Sequence, residues 1–192
     1  PYNPRCIEEL SAFDEKGLPL ELKRVDRERR VLFQTLSDPA LVAVAAKWGF
    51  RVIDETGNKQ FMSKAQAVEG GIVVKEAFFS TQYSKTLFRF HERFTKPLGM
   101  KLEIVPQENP LGLLKGDTLT IQVLFDGIPL SKAKVQAGRN TAAVETNGNG
   151  MAHVRIDGTG WQKVAVIRDA PAPENSGLDY LRFFAFLVFP LK

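Results

Sequence analysis

The chain has 192 residues, of which 44% are hydrophobic and 25% are charged, and its formal net charge at pH 7 is +4. This composition is typical of a folded globular protein and excludes general disorder. The longest apolar runs, residues 41–46 and 183–191, are too short for a membrane-spanning helix, which needs about 20 apolar residues. We therefore expect no direct insertion into a membrane.

In the first half, short alternating runs between turn residues predict strands at residues 31–36, 41–50, 61–62, 72–79 and 83–94. Turns are indicated at Asp38-Pro39, Gly57-Asn58 and Gly70-Gly71. Residues 41–47 contain three alanines and would also suit a short helix, so both interpretations stay open.

The basic residues of this half are not clustered as a nucleic-acid partner requires. The densest run is interrupted by Asp26 and Glu28. Its cations are Lys23, Arg24, Arg27, Arg29 and Arg30. We interpret the run as a solvated hairpin and expect no nucleic-acid binding.

The second half alternates more regularly. Residues 118–125 place Leu119, Ile121, Val123 and Phe125 on one face, and turns follow at Asp126-Gly127 and at residues 147–150. Further strands are predicted at residues 133–137, 152–156, 161–167 and 180–189. The last run is apolar on both faces, which predicts a strand that is covered on each side.

These patterns predict an all-β protein of two β-sandwich-like domains, residues 1–97 and residues 98–192. Pro97, Pro106 and Pro110 punctuate the crossover between the two. The C-terminal domain is expected to be an immunoglobulin-like or transthyretin-like sandwich. Because the chain begins at Pro1 with no leader, we expect the first domain to be truncated at its start.

Candidate metal ligands are few, because the sequence contains two histidines and one cysteine. If residues 83–94 form a strand, His91 shares a face with Lys85, Arg89 and Arg93, whose charges disfavour an incoming dication. We therefore interpret His91 as a surface residue and a weak candidate ligand.

The other two candidates are equally weak. Alternation places His153 on the solvated face of its strand, and Cys6 has no second cysteine or histidine nearby, so it forms no intrachain disulfide. No nucleophile, phosphate-loop or metalloprotease motif occurs, so we name no catalytic residue and predict that the protein is not an enzyme.

The 14 phenylalanines are concentrated in a few predicted strands. Two ordinary cores would account for them, and so would a ligand groove or a partner surface. The sequence leaves these alternatives open.

Two segments carry a family resemblance. Tyr83-Ser84-Lys85-Thr86-Leu87 and Leu102-Glu103-Ile104-Val105-Pro106, in this order and spacing, resemble the periplasmic component associated with bacterial nickel and cobalt uptake systems. Other segments fit the same family: Asp38-Pro39-Ala40-Leu41, Pro97-Leu98-Gly99, Pro110-Leu111-Gly112 and Asn147-Gly148-Asn149-Gly150. The C-terminal half is also similar to transthyretin-like and carboxypeptidase-regulatory sandwiches.

The resemblance implies a periplasmic, non-enzymatic accessory or metal-binding protein that acts beside a membrane subunit of an ABC transporter. Family members carry histidine at the start of the mature chain, which is absent at Pro1. A nickel or cobalt ion would therefore be bound mainly through a segment missing from this chain. The alternative is an extracytoplasmic structural or interaction module that binds a protein or a glycan without metal, and the oligomeric state stays open.

Overall fold

In a computed structural model, which describes residues 6–28, 30–138 and 141–191, the chain is built mainly of β-strands. The strands are β1 (Ile7–Phe13), β2 (Pro19–Leu20), β3 (Lys23–Arg27), β4 (Arg30–Gln34), β5 (Leu41–Asp54), β6 (Lys59–Gln60), β7 (Val74–Leu87), β8 (Leu102–Pro106), β9 (Thr118–Phe125), β10 (Ile128–Pro129), β11 (Lys134–Ala137), β12 (Val144–Glu145), β13 (Met151–Arg155), β14 (Trp161–Pro171) and β15 (Tyr180–Pro190). One short helix, α1 (Lys64–Glu69), follows β6, and 3₁₀ turns occupy Glu92–Thr95 and Pro110–Gly112. Residues 1–5, where truncation was expected, and Arg29 of the basic run lie outside the described residues.

Within the described residues the larger sheet has nine strands. Their order is β12, β11, β14, β15, β7, β5, β1 and β2, with β6 added beside β5. The smaller sheet pairs β9 with β8, β10 and β13. Neighbouring strands are antiparallel except β7 and β15, which run parallel.

The two sheets pack face to face around an apolar core. Alternation explains which side chains enter it: Leu119, Ile121 and Val123 of β9 are fully buried, as predicted. Phe183 and Leu187 of β15 meet them from the larger sheet. The all-β, sandwich-like fold predicted from the sequence is confirmed.

The larger sheet continues across the domain boundary expected at residue 97. Strand β15 pairs with β7 over nine registered positions, from Tyr180 opposite Phe78 to Val188 opposite Thr86. The main core likewise combines residues from both sides, such as Leu41 and Leu119. The division into two domains, and the immunoglobulin-like or transthyretin-like assignment of the second, stay predictions.

Several details of the first half differ from the expected elements. Residues 61–62 do not form the expected strand, and the neighbouring strand β6 is Lys59–Gln60. The strands predicted at residues 72–79 and 83–94 are one strand, β7, which ends at Leu87. Its polar centre, including Ser80 and Thr81, interrupts the apolar alternation but is covered by β5 and β15. Helix α1 was not predicted, although Ser63 caps it and Gln66 completes a capping box.

The alternative left open for residues 41–47 is resolved as a strand. They begin β5, and Ala43, Ala45 and Ala46 are buried where β5 lies between β1 and β7. Small side chains suit such a central strand, so tertiary pairing overrides the helix propensity of alanine.

The basic run forms the hairpin that the sequence predicts. β3 and β4 pair only with each other among the described residues, with Val25 opposite Leu32. Arg24 fixes the hairpin to the body by donating to the carbonyl oxygen of Ile7 at 2.9 Å. None of the helices in the described ranges is long and apolar enough to cross a membrane.

Candidate functional site

The residues singled out as candidate ligands lie on separate elements. His91 precedes the 3₁₀ turn at Glu92–Thr95, and its Nδ1 accepts the backbone N–H of Arg93 at 3.1 Å. The expected strand through residue 94 is therefore wrong. His91 is half-buried against Phe94 and does not share a strand face with Lys85.

The other two candidates are equally isolated. His153 is exposed on β13, as alternation predicts, and its Nδ1 lies 3.1 Å from the hydroxyl of Thr120 on β9. Cys6 is a half-buried free thiol. Among the residues that the structure describes, no three His, Cys, Asp or Glu side chains are grouped so as to hold a metal ion.

Lys85, expected on an exposed basic face, is instead buried between the two sheets. Its Nζ donates to Oε1 of Glu103 at 2.9 Å, and both side chains are at most 2% exposed. The Glu103 carboxylate also accepts the backbone N–H groups of Leu98, Gly99 and Met100. Burial lowers the pKa of the Lys85 ammonium below its ordinary value, and the Glu103 charge opposes this.

This ion pair joins the two segments that carried the resemblance. Lys85 lies in β7 of the larger sheet, and Glu103 lies in β8 of the smaller one. Lys85 and Glu103 thus connect the two layers of the sandwich, which gives them a structural role. The candidate ligand-binding site lies elsewhere.

That site is a groove on the outer face of the larger sheet, with a volume of about 330 Å³. It crosses strands β5, β7 and β15. Its lining is mainly aromatic, with cations and two neutral polar side chains: Trp48, Arg51, Lys59, Phe61, Phe78, Ser80, Gln82, Arg182, Phe184 and Phe186. We call this cavity the aromatic groove.

Strand register explains why these side chains meet. On β15 the residues that alternate with the buried ones, including Phe184 and Phe186, point away from the core. Across the pair, Arg182 is opposite Ser80 and Phe184 is opposite Gln82. The outer faces of β7 and β15 therefore form the floor and one wall of the groove.

A β-bulge shapes the far side of the groove. On β5, Lys47 pairs with Thr81 and Gly49 pairs with Ser80, so Trp48 is the extra residue of the bulge. Gly49 has φ +82°, a backbone conformation that side chains rarely permit. The bulge turns Trp48 towards the groove and returns Arg51 to the outer face, opposite Phe78.

Arg51 is the most unusual group of the lining. Its residue is 9% exposed, its guanidinium lies 3.8 Å from the ring centre of Phe61, and its Nη1 donates to the carbonyl oxygens of Trp48 and Phe50. Among the described residues no carboxylate lies within ion-pair distance of it. Burial lowers the pKa of Arg51, and the Cys6 thiol opposes this.

Arg182, on the opposite wall, is already neutralised. Its Nε and Nη2 donate to the two oxygens of Asp169, each at 2.8 Å, and this pairing raises the pKa of Arg182. The guanidinium also lies over the rings of Phe78 and Tyr180. It therefore shapes the wall more than it contributes free positive charge.

A second cavity of about 380 Å³ adjoins the first and shares Trp48, Arg51 and Phe61 with it. Its other lining residues are Cys6, Phe50, Met62, Ser63 and Gln66. The shared side chains place Arg51, stacked on Phe61, between the two cavities. In the described part of the chain, no carboxylate lines either cavity.

The sequence indicated this groove without locating it. A strand that is apolar on both faces was expected to be covered on both sides, but the outer face of β15 is half-exposed and lines the groove. Of the alternatives for the phenylalanines, the groove accounts for Phe61, Phe78, Phe184 and Phe186. The bulge that brings in Trp48 and Arg51 has no clear signal in the sequence.

Comparison with known proteins identifies one family. No curated protein and no solved structure matches the chain. A family model described as "Domain of unknown function (DUF4198)" matches residues 3–169, which is most of its length. The chain therefore belongs to the DUF4198 family.

Proposed function

We propose that this protein is a non-catalytic binding protein and that the aromatic groove is its binding site. The observation that carries the proposal is the row of aromatic side chains on the outer face of β7 and β15, where Phe184 and Phe186 are partly exposed. Apolar groups left in contact with water cost free energy, and concave apolar patches with a few polar groups are typical of ligand sites. This favours binding without metal, as in the second of the two functions expected from the sequence, but with a small molecule in place of a protein or a glycan.

The same proposal places the protein outside the cytoplasm. Support for this comes from the resemblance to periplasmic components and not from the groove. Export of the natural protein is checked by fractionating cells and locating it with an antibody.

Fragment screening by NMR tests the proposed site. In ¹H–¹⁵N spectra, small aromatic and polar fragments should shift the amide signals of Ser80, Gln82 and Phe184. The matched control surface is the outer face of β13, where His153 and Arg155 are exposed and polar. Fragments that shift both surfaces equally, or that shift neither, would contradict the proposal.

An accessory role in nickel or cobalt uptake is our second proposal. It is supported by the resemblance, whose two main segments meet at the Lys85–Glu103 pair. In this proposal the protein delivers the ion to a transporter subunit and binds it mainly through a segment outside residues 1–192. His91, His153 and Cys6 are weak candidates for additional metal ligands in this proposal.

Calorimetric titration with Ni²⁺ and Co²⁺ tests the second proposal. The full mature chain and residues 1–192 are titrated side by side. Binding by the longer chain alone would support a metal site outside residues 1–192. Binding by neither would contradict the metal role, and binding by residues 1–192 would contradict the location of the site.

A further inference from the structure

The charges around the aromatic groove point to the class of its ligand. We propose that the groove binds a small organic carboxylate with an apolar body, and that the Arg51 guanidinium holds the carboxylate. This inference rests on the function proposed above and adds the chemistry of the ligand to it.

The described lining of the groove carries an excess of positive charge. Arg51, Lys59 and Arg182 line the aromatic groove, and no carboxylate does so among the described residues. Asp169 compensates Arg182 from outside the lining. The charges of Arg51 and Lys59 are left without a carboxylate within 4 Å in the described structure, so the cavity complements an anion.

Arg51 keeps hydrogen-bond donors for a ligand. A guanidinium has five N–H groups, and the two on Nη1 are used by the carbonyl oxygens of Trp48 and Phe50. Within the described residues, the N–H groups on Nε and Nη2 have no acceptor. Those two nitrogens form the edge that binds a carboxylate through two parallel hydrogen bonds.

The Arg51 guanidinium is held in place before a ligand arrives. Its two backbone hydrogen bonds and its stacking on Phe61 fix the plane of the group. Burial also lowers the pKa of Arg51, which means that its charge is poorly solvated. A bound carboxylate would restore the lost stabilisation of that charge without a large cost in side-chain entropy.

The two cavities have the size and shape of a site for a small molecule. The two adjoining cavities, of about 330 and 380 Å³, lie in the range of small-molecule sites. The aromatic walls, including Phe184 and Phe186, provide a surface for an apolar body. A small amphipathic carboxylate therefore fits the site better than an extended macromolecule does.

The test compares 2-naphthoate with 2-naphthamide, which has nearly the same shape but no charge. The protein has two tryptophans, and Trp161 lies outside both cavities, so Trp161→Phe leaves Trp48 as the fluorescent reporter. Quenching of Trp48 is titrated with each probe. We expect 2-naphthoate to bind at least about tenfold more tightly than 2-naphthamide.

Two further variants in the Trp161→Phe background locate the effect. Arg51→Gln should weaken 2-naphthoate about tenfold or more and leave 2-naphthamide nearly unchanged. Arg51→Lys, which keeps the charge but loses the two-pronged donor edge, should weaken it less. The matched control is Arg155→Gln on β13, an exposed arginine paired with Asp157, which should change neither affinity.

The outcomes separate the two levels of the proposal. Equal quenching of Trp48 by both probes would overturn the carboxylate inference and leave the proposed binding site standing. Full retention of 2-naphthoate affinity in a folded Arg51→Gln protein would overturn the role of Arg51. Quenching by neither probe would overturn both the inference and the proposed site.

Discussion

Replacing Lys85 with methionine removes one partner of the ion pair between the sheets. The remaining Glu103 carboxylate would be buried without its cation, at a position that is 1% exposed. Removing one partner of a buried pair costs about 3–5 kcal/mol, because the other charge is left uncompensated. Since a domain of this kind is stable by about 5–15 kcal/mol, Lys85→Met should lose a large part of the free energy of unfolding.

The double variant Lys85→Met/Glu103→Gln tests the reason for this loss. It contains no lone charge, but the glutamine amide cannot accept all three backbone N–H groups that Glu103 accepts. One unpaired N–H group costs about 1–3 kcal/mol. The double variant should therefore be more stable than Lys85→Met alone.

Urea unfolding at pH 7, followed by circular dichroism, measures these differences. The control is Lys47→Met, which breaks the exposed pair between Lys47 and Glu8 and should cost less than about 1 kcal/mol. A loss below 1 kcal/mol for Lys85→Met would refute the reasoning. A double variant that is no more stable than Lys85→Met would also refute it.

Three further predictions concern pH and the backbone. Burial of Tyr180, and then the hydrogen bond from its hydroxyl to Glu76 at 2.5 Å, raise the pKa of Tyr180, so the folded state keeps a proton that the unfolded chain releases near pH 10. The free energy of unfolding should therefore be unchanged below pH 10 and fall above it. Urea unfolding between pH 9 and 11 should show a smaller fall for Tyr180→Phe. The hydrogen bond from the Thr56 hydroxyl is the main cause that lowers the pKa of Asp54, so its contribution to stability should be complete above about pH 4 and lost as pH falls below that value. Melting curves of Asp54→Asn should lack this loss, and an equal loss of melting temperature in acid for both proteins would contradict the assignment. Gly150→Ala should destabilise by about 1–2 kcal/mol because of its φ of +71°, and by more because the new Cβ would lie 2.5 Å from the carbonyl oxygen of Val123. Gly148→Ala should be tolerated, because no atom of the described residues outside its chain neighbours lies within 4 Å of the new Cβ, and similar melting temperatures for the two variants would be the contrary result.

The fold could be predicted where one physical signal was sufficient. Residues 118–125 alternate strictly, and β9 (Thr118–Phe125) has those bounds with the expected face buried. The turn at residues 147–150 is indicated by Asn-Gly chemistry and is present, with Asn147 accepting two backbone N–H groups. Local patterns of this kind need no knowledge of the rest of the chain.

The sequence was less informative where a long-range partner decides the outcome. β7 was predicted as two strands because Ser80, Thr81 and Gln82 break its apolar pattern, yet β5 and β15 cover that stretch on both edges. Lys85 looked like a surface cation because its partner, Glu103, is 18 residues away. Such pairings are set by tertiary contacts, which alternation does not encode.

The candidate site shows the same limit. The excess of phenylalanines indicated a groove or a partner surface as one alternative, but Arg51 had no motif to mark it. Its role depends on the bulge at Trp48, on stacking with Phe61 and on the absence of a carboxylate among the described lining residues. The chemistry of this site arises from the register of three strands.

A crystal structure of the protein with 2-naphthoate tests the central claim most directly. We expect the carboxylate within hydrogen-bond distance of Nε and Nη2 of Arg51, with the naphthalene ring against Phe184 and Phe186. A naphthoate bound elsewhere on the protein, with the aromatic groove empty, would contradict it.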